Sequence, residues 1–139
     1  MFIKDLIAAT ALSLLLSAAA QAVEVGDKSP LFTLPNIDAD KPEISLEDLR
    51  GKTVYVDFWA SWCAPCLRSM PLINELYKEY REQGFEVIAI NVDDPIEDGQ
   101  DFLLDTPLDY LIAADTDNQV LTEFGVTGMP TSFLIDKEG

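Results

Sequence analysis

The chain has 139 residues, with 9 Lys+Arg against 25 Asp+Glu, no histidine, two cysteines, 48% apolar residues and a formal net charge of −16. That length fits one domain of ordinary size, and this apolar content allows a real core, which excludes disorder for most of the chain. The missing histidine excludes Ser-His and Cys-His nucleophilic catalysis and most zinc chemistry, the acidity excludes nucleic-acid backbone binding as the main role, and two cysteines can make one redox pair but not a disulfide scaffold.

Residues 1–22 read as a secretory signal. Lys4 gives the positive start beside Asp5, residues 6–16 are apolar apart from Thr10 and Ser13, and Ala20-Gln21-Ala22 offers a small-x-small cleavage site. The alternative is an uncleaved membrane anchor, because the 18 residues from Leu6 to Val23 carry no charge. Cleavage removes Lys4 and Asp5 together, so residues 23–139 keep the net charge of −16. They would enter a periplasm-like, oxidising compartment without stable membrane insertion.

Along the mature chain, turn signals at Gly26-Asp27, Ser29-Pro30 and Pro35-Asn36 surround two short strand-like pieces at 31–34 and 43–45. Ser45, followed by Glu47-Asp48, is expected to cap a short helix ending before Gly51. Residues 53–59 form a dense β-branched and aromatic run suited to a buried strand. A helix is expected from Ala64, with Ile73, Leu76, Tyr77 and Tyr80 on its apolar face and Gly84 at its end. Residues 85–92 are a second buried strand, so strand, helix and strand make a parallel βαβ unit. A helix over 96–104, a strand over 110–113, a helix over 118–124, a turn between Gly125 and Gly128 and a strand over 131–135 complete the reading. Residues 136–139 resemble a hairpin turn.

Trp62-Cys63-Ala64-Pro65-Cys66 lies between the first buried strand and the helix. There the first cysteine meets the unpaired N–H groups of a helix N-terminus, which stabilise a thiolate. The i, i+3 spacing brings the two Cα atoms into disulfide range, and Pro65 has no N–H to leave unpaired. The chemistry is thiolate attack on a disulfide, followed by release through the second thiol. The alternatives are a structural bridge or half a zinc site. A bridge across two residues stabilises little by loop entropy, and no other metal ligands are evident.

Residues 56–66, Val-Asp-Phe-Trp-Ala-Ser-Trp-Cys-Ala-Pro-Cys, resemble the active-site segment of thioredoxin-fold proteins, and Gly128-Met129-Pro130-Thr131 resembles their cis-proline loop. Gly26-Asp27, Phe32-Thr33-Leu34-Pro35, Leu49-Arg50-Gly51-Lys52 and Ser132-Phe133-Leu134-Ile135-Asp136 are similar to the exported TlpA/ResA-like branch. The resemblance spans about residues 25–139. It implies an α/β thioredoxin fold with an N-terminal extension and a βα insertion, acting as a protein-disulfide reductase with no cofactor beyond a redox-active Cys63–Cys66 disulfide. Cys63 would attack, Cys66 would resolve, and Trp62, Ala64, Pro65, Met129 and a cis Pro130 would meet the substrate. Protein disulfides and dithiols are the implied substrates, and a reductant in an oxidising compartment needs a membrane thiol electron donor. Asp57, in an apolar strand, is expected to be buried, with its pKa raised, as a proton acceptor for Cys66.

Departures from the family's pattern are visible. Ser69 stands where many relatives have a glutamate before the proline (here Pro71), and Ala89 stands where thioredoxin has a lysine near the aspartate. The family continues with one more strand and a terminal helix, so the chain reads as C-terminally truncated at Gly139. Two other functions share the fold. A peroxiredoxin-like peroxidase needs a threonine shortly before its cysteine, where this chain has Trp59-Ala60-Ser61-Trp62; a copper-delivery domain would want wider cysteine spacing and a histidine. Residues 93–117 carry nine acids and no base, read as a solvated face that repels acidic partners and steers basic ones. They hold no calcium-loop pattern.

Overall fold

The computed structural model describes residues 22–139; the export signal expected over 1–22 lies, except for Ala22, outside them. A four-stranded sheet in the order β5-β4-β3-β6 forms the centre, built from β3 (Thr53–Trp59), β4 (Phe85–Asn91), β5 (Leu111–Ala114) and β6 (Thr131–Ile135). A two-stranded antiparallel ribbon of β1 (Thr33–Leu34) and β2 (Ile44–Ser45) precedes it. β3, β4 and β5 are parallel because α1 (Ala64–Tyr80) and α2 (Glu97–Asp105) make the crossovers, and β6 returns antiparallel to β3 after α3 (Gln119–Glu123). The β3–β4 register runs from Thr53 opposite Phe85 to Trp59 opposite Asn91, so both strands end level.

Side-chain alternation sorts β3 into two faces. Val54, Val56 and Phe58 pack with Ile88 and Ile90 against Phe32, Leu34, Val120 and Phe124. The Phe124 ring meets those of Phe58 and Phe133 edge-on, at centroid distances of 5.5 and 5.0 Å. On the other face Trp59, Val87 and Ala89 pack against Cys63, Cys66, Met70 and Ile73, with Tyr110 and Ile112 closing the layer. Both faces of β3 are therefore buried, as its continuous apolar run requires.

The α1 face differs from the expected one. Cys66, Met70, Ile73 and Asn74 are buried and Tyr77 half-buried, while Leu76 and Tyr80 are exposed. The packing seam steps 66-70-73-77 from the cysteine that anchors the helix to the sheet, which leaves Leu76 and Tyr80 on its flank. Asn74 replaces an apolar contact with two hydrogen bonds of 2.9 Å to Asp109, one donated to its carboxylate and one accepted from its N–H. Gly84, at φ 84°, takes the left-handed position after the helix, as expected. Ser45 is not a cap. It pairs with Thr33 in the ribbon, and the short 3-10 turn Glu47–Leu49 begins after Leu46 without a side-chain cap bond. The acidic stretch is also not one solvated face, because Asp93 and Asp115 are buried. Asp115 accepts the N–H groups of Val120 and Leu121 at 3.2 and 2.8 Å, and so fastens the start of α3.

Candidate active site

Cys63 precedes the 17-residue α1 as its N-cap, with Pro65 in the first turn. The helix start follows from the sequence: the chain leaves the sheet at Trp59, turns through Ala60 and Ser61, and enters helix where Pro65 fixes φ. Cys63 and Cys66 are joined as a disulfide with Cα atoms 5.3 Å apart. Both are buried, Cys66 completely, while Trp62 beside them is 70% exposed. Ala64 and Pro65 also face outward. The Phe58 carbonyl lies 3.9 Å from Cys66 Sγ, an acceptor for that thiol in the dithiol form.

The Met129–Pro130 peptide is cis, as the resemblance implied, and so is Asp94–Pro95, which no sequence signal flagged. Met129 packs against the cluster that contains both cysteines, and Pro130 is exposed next to it.

Asp57 is 2% exposed, and its Oδ2 has no hydrogen-bond partner. It shares the face of β3 that carries Trp59, under α1. Burial pushes its pKa up to about 6, an effect that a hydrogen bond from the Ser132 hydroxyl partly offsets. Ser132 is its partner on β6 and Ala89 its partner on β4. The Ser132 hydroxyl also accepts a hydrogen bond from Tyr55 Oη at 2.8 Å. Buried Tyr110, whose hydroxyl reaches the Met70 carbonyl at 3.5 Å, has its pKa raised by burial and then by the Asp57 carboxylate.

Sequence reasoning missed Asp93. Sequence alone groups it with the surface acids, yet its carboxylate binds Ser61, two residues before Cys63. Only its place directly after a buried strand hinted at this. Among the described residues no group of three or more His, Cys, Asp or Glu could hold a metal ion, and no helix is long and apolar enough to cross a membrane.

A family model described as Redoxin matches residues 24–139. The thiol-disulfide oxidoreductase ResA of Geobacillus thermodenitrificans is 44% identical over 118 residues, covering 85% of this chain and 67% of the relative. ResA of Bacillus subtilis is 35% identical over 122 residues, covering 88% and 67%. A thiol:disulfide interchange protein designated DsbE, from Chlorobium tepidum, superposes with a TM-score of 0.80 at 42% identity, covering 85% of this chain and 82% of that one. With a CxxC disulfide at the start of a helix, a buried carboxyl on the adjoining strand and these relatives, the chain belongs to the Redoxin family, among its ResA-like thiol–disulfide oxidoreductases of thioredoxin fold.

Proposed function

We propose that the protein is an exported reductase of protein disulfides, with Cys63 as nucleophile, Cys66 as resolving thiol and Asp57 as its proton acceptor. The observation that carries this reading is the placement of the Cys63–Cys66 pair at the N-terminus of α1, on the sheet face that buries Asp57. In the dithiol form the Cys63 thiolate attacks one sulfur of a substrate disulfide, whose S–S bond breaks and releases one substrate thiolate. Cys66 then loses its proton to Asp57 and attacks Cys63 Sγ. The mixed disulfide breaks, the second substrate thiolate leaves, and two electrons have passed to the substrate while Cys63–Cys66 is oxidised.

The Cys63–Cys66 pair is the only redox group this cycle uses. Trp62, Ala64, Pro65, Met129 and Pro130 form the surface for the substrate chain, the loop pairing with extended backbone while Trp62 supplies apolar contact. Residues 1–22 would act as the export signal or, uncleaved, as an anchor, and 23–139 as the thioredoxin-like domain. In an oxidising compartment the dithiol must be restored by a membrane-borne thiol donor.

The test is turnover of insulin disulfides, with hydrogen peroxide and Cu(I) offered in parallel, together with the reduction potential of Cys63–Cys66. A potential near that of thioredoxin, about −270 mV, fits a reductase, and one near that of DsbA, about −120 mV, refutes the direction. Peroxide consumption or tight Cu(I) binding without insulin turnover refutes the activity.

A further inference from the structure

Asp93 directly follows β4 and is 1% exposed. Its carboxylate accepts the Ser61 N–H at 2.9 and 3.1 Å, the Ser61 hydroxyl at 2.8 Å and the Asn91 side-chain amide at 2.7 Å. The Asn91 carboxamide oxygen accepts the Asp93 N–H in return, at 3.1 Å. Asn91 is itself completely buried and stands opposite Trp59 at the end of β3. Its amide fills the space above Gly99 of α2, where a Cβ would lie 2.6 Å from Asn91 Nδ2. A polar network therefore runs from Asn91, which packs directly on Gly99 of α2, through Asp93 to Ser61.

What the network holds is the turn that delivers the cysteine. The Cys63 N–H donates to the Ala60 carbonyl at 3.0 Å, closing a turn over residues 60–63. That bond leaves the Ser61 N–H free, and Asp93 takes it. The electrostatic advantage of a helix N-terminus falls off within its first turn, so it depends on where the sulfur sits. A misplacement of about 1 Å can cost on the order of 10²-fold in rate.

We propose that Asp93 is a positioning residue for Cys63: by clamping Ser61 it holds the sulfur at the N-terminus of α1 and so sets the reactivity of the thiol. The proposal rests on Cys63 being the attacking thiol. The clamp works by geometry rather than by charge. All of Asp93's partners are donors, but an asparagine can still present its carbonyl to the Ser61 N–H and the Asn91 amide. Its own NH2 then donates to Ser61 Oγ, because a hydroxyl can reverse from donor to acceptor. An alanine offers none of these bonds.

The test is the pH profile of alkylation at Cys63 in the fully reduced chain, with the site of reaction read by mass spectrometry. Asp93→Ala is expected to raise the apparent pKa of Cys63 and slow its alkylation near neutral pH about tenfold, as loss of thiolate character requires. Asp93→Asn is expected to stay within about twofold of wild type, since its bonds survive. Phe124→Leu, on the opposite face of the sheet, should lower stability and leave the profile in place. Should Asp93→Ala not fold, Gly99→Ala carries the test. It displaces the Asn91 amide, while the better helix propensity of alanine opposes global destabilisation, and the same slowing is expected. An unchanged Cys63 profile in the folded variant overturns the proposal, as does Asp93→Asn reacting as slowly as Asp93→Ala. Alkylation of Cys66 in place of Cys63 in the wild type overturns the nucleophile assignment instead.

Discussion

Asp57 faces Ala89 across the parallel β3–β4 register, so that strand brings no cation to the buried carboxyl. What meets Asp57 from the other side is the Ser132 hydroxyl on β6. A hydroxyl offsets desolvation less than an ammonium group would, and the carboxyl titrates close to neutrality, where it can both accept and release a proton. Asp57→Asn removes the base while keeping size. Attack by Cys63 should change little, and resolution by Cys66 should slow by about 10²-fold, at the low end for lost general-base catalysis. Rapid mixing near neutral pH should show the mixed disulfide accumulating, with the difference from wild type shrinking as solvent base takes over at higher pH. An unchanged resolution rate across that range would leave Asp57 a structural residue.

The same substitution has a pH-dependent effect on stability. The pKa of Asp57 is raised from the usual 3.8 to about 6 on folding, so the folded state binds the proton more tightly. Stability from this group is present below pH about 4 and is lost as pH rises through about 6. The penalty above that is on the order of 3 kcal/mol, at about 1.36 kcal/mol per pKa unit. Asp57→Asn does not titrate. Its urea midpoint in the oxidised form should exceed the wild type's at pH 7 and converge on it at pH 4. A constant difference between the two pH values would contradict the burial account.

Cys63→Ser should abolish insulin reduction, because it removes the attacking sulfur. Cys66→Ser should leave a Cys63 that captures substrates as stable mixed disulfides, since nothing resolves them. Covalent complexes recovered under non-reducing conditions from Cys66→Ser, and absent from Cys63→Ser, are the expected pattern. The opposite pattern reverses the roles.

Asp115→Ala tests the buried acid outside the site. It leaves the N–H groups of Val120 and Leu121 without their acceptor, next to the Val120 and Phe124 side chains of the core. A loss of about 1–2 kcal/mol is expected, the usual cost of removing a helix-start acceptor. Urea unfolding measures it, and thiol reactivity at Cys63 should be unaffected.

The sequence by itself determined the order of the elements, the two buried strands, the position of the CxxC pair at a helix start and the burial of Asp57. These follow from short-range patterns. A seven-residue run made almost wholly of β-branched and aromatic residues buries both faces of a strand, and a proline two residues after a cysteine starts a helix under it. Tertiary structure alone decided which acids are structural and which side of α1 packs. Asp93 looks like its neighbours in a run of acids until β4 ends level with β3 and brings it to Ser61, 32 residues earlier in the chain. Asn74 and Asp109, 35 residues apart, find each other the same way, and Leu76 is left outside because the helix is anchored through Cys66. A buried polar group is stable only where its partners are, and those partners came from distant segments that local periodicity does not relate.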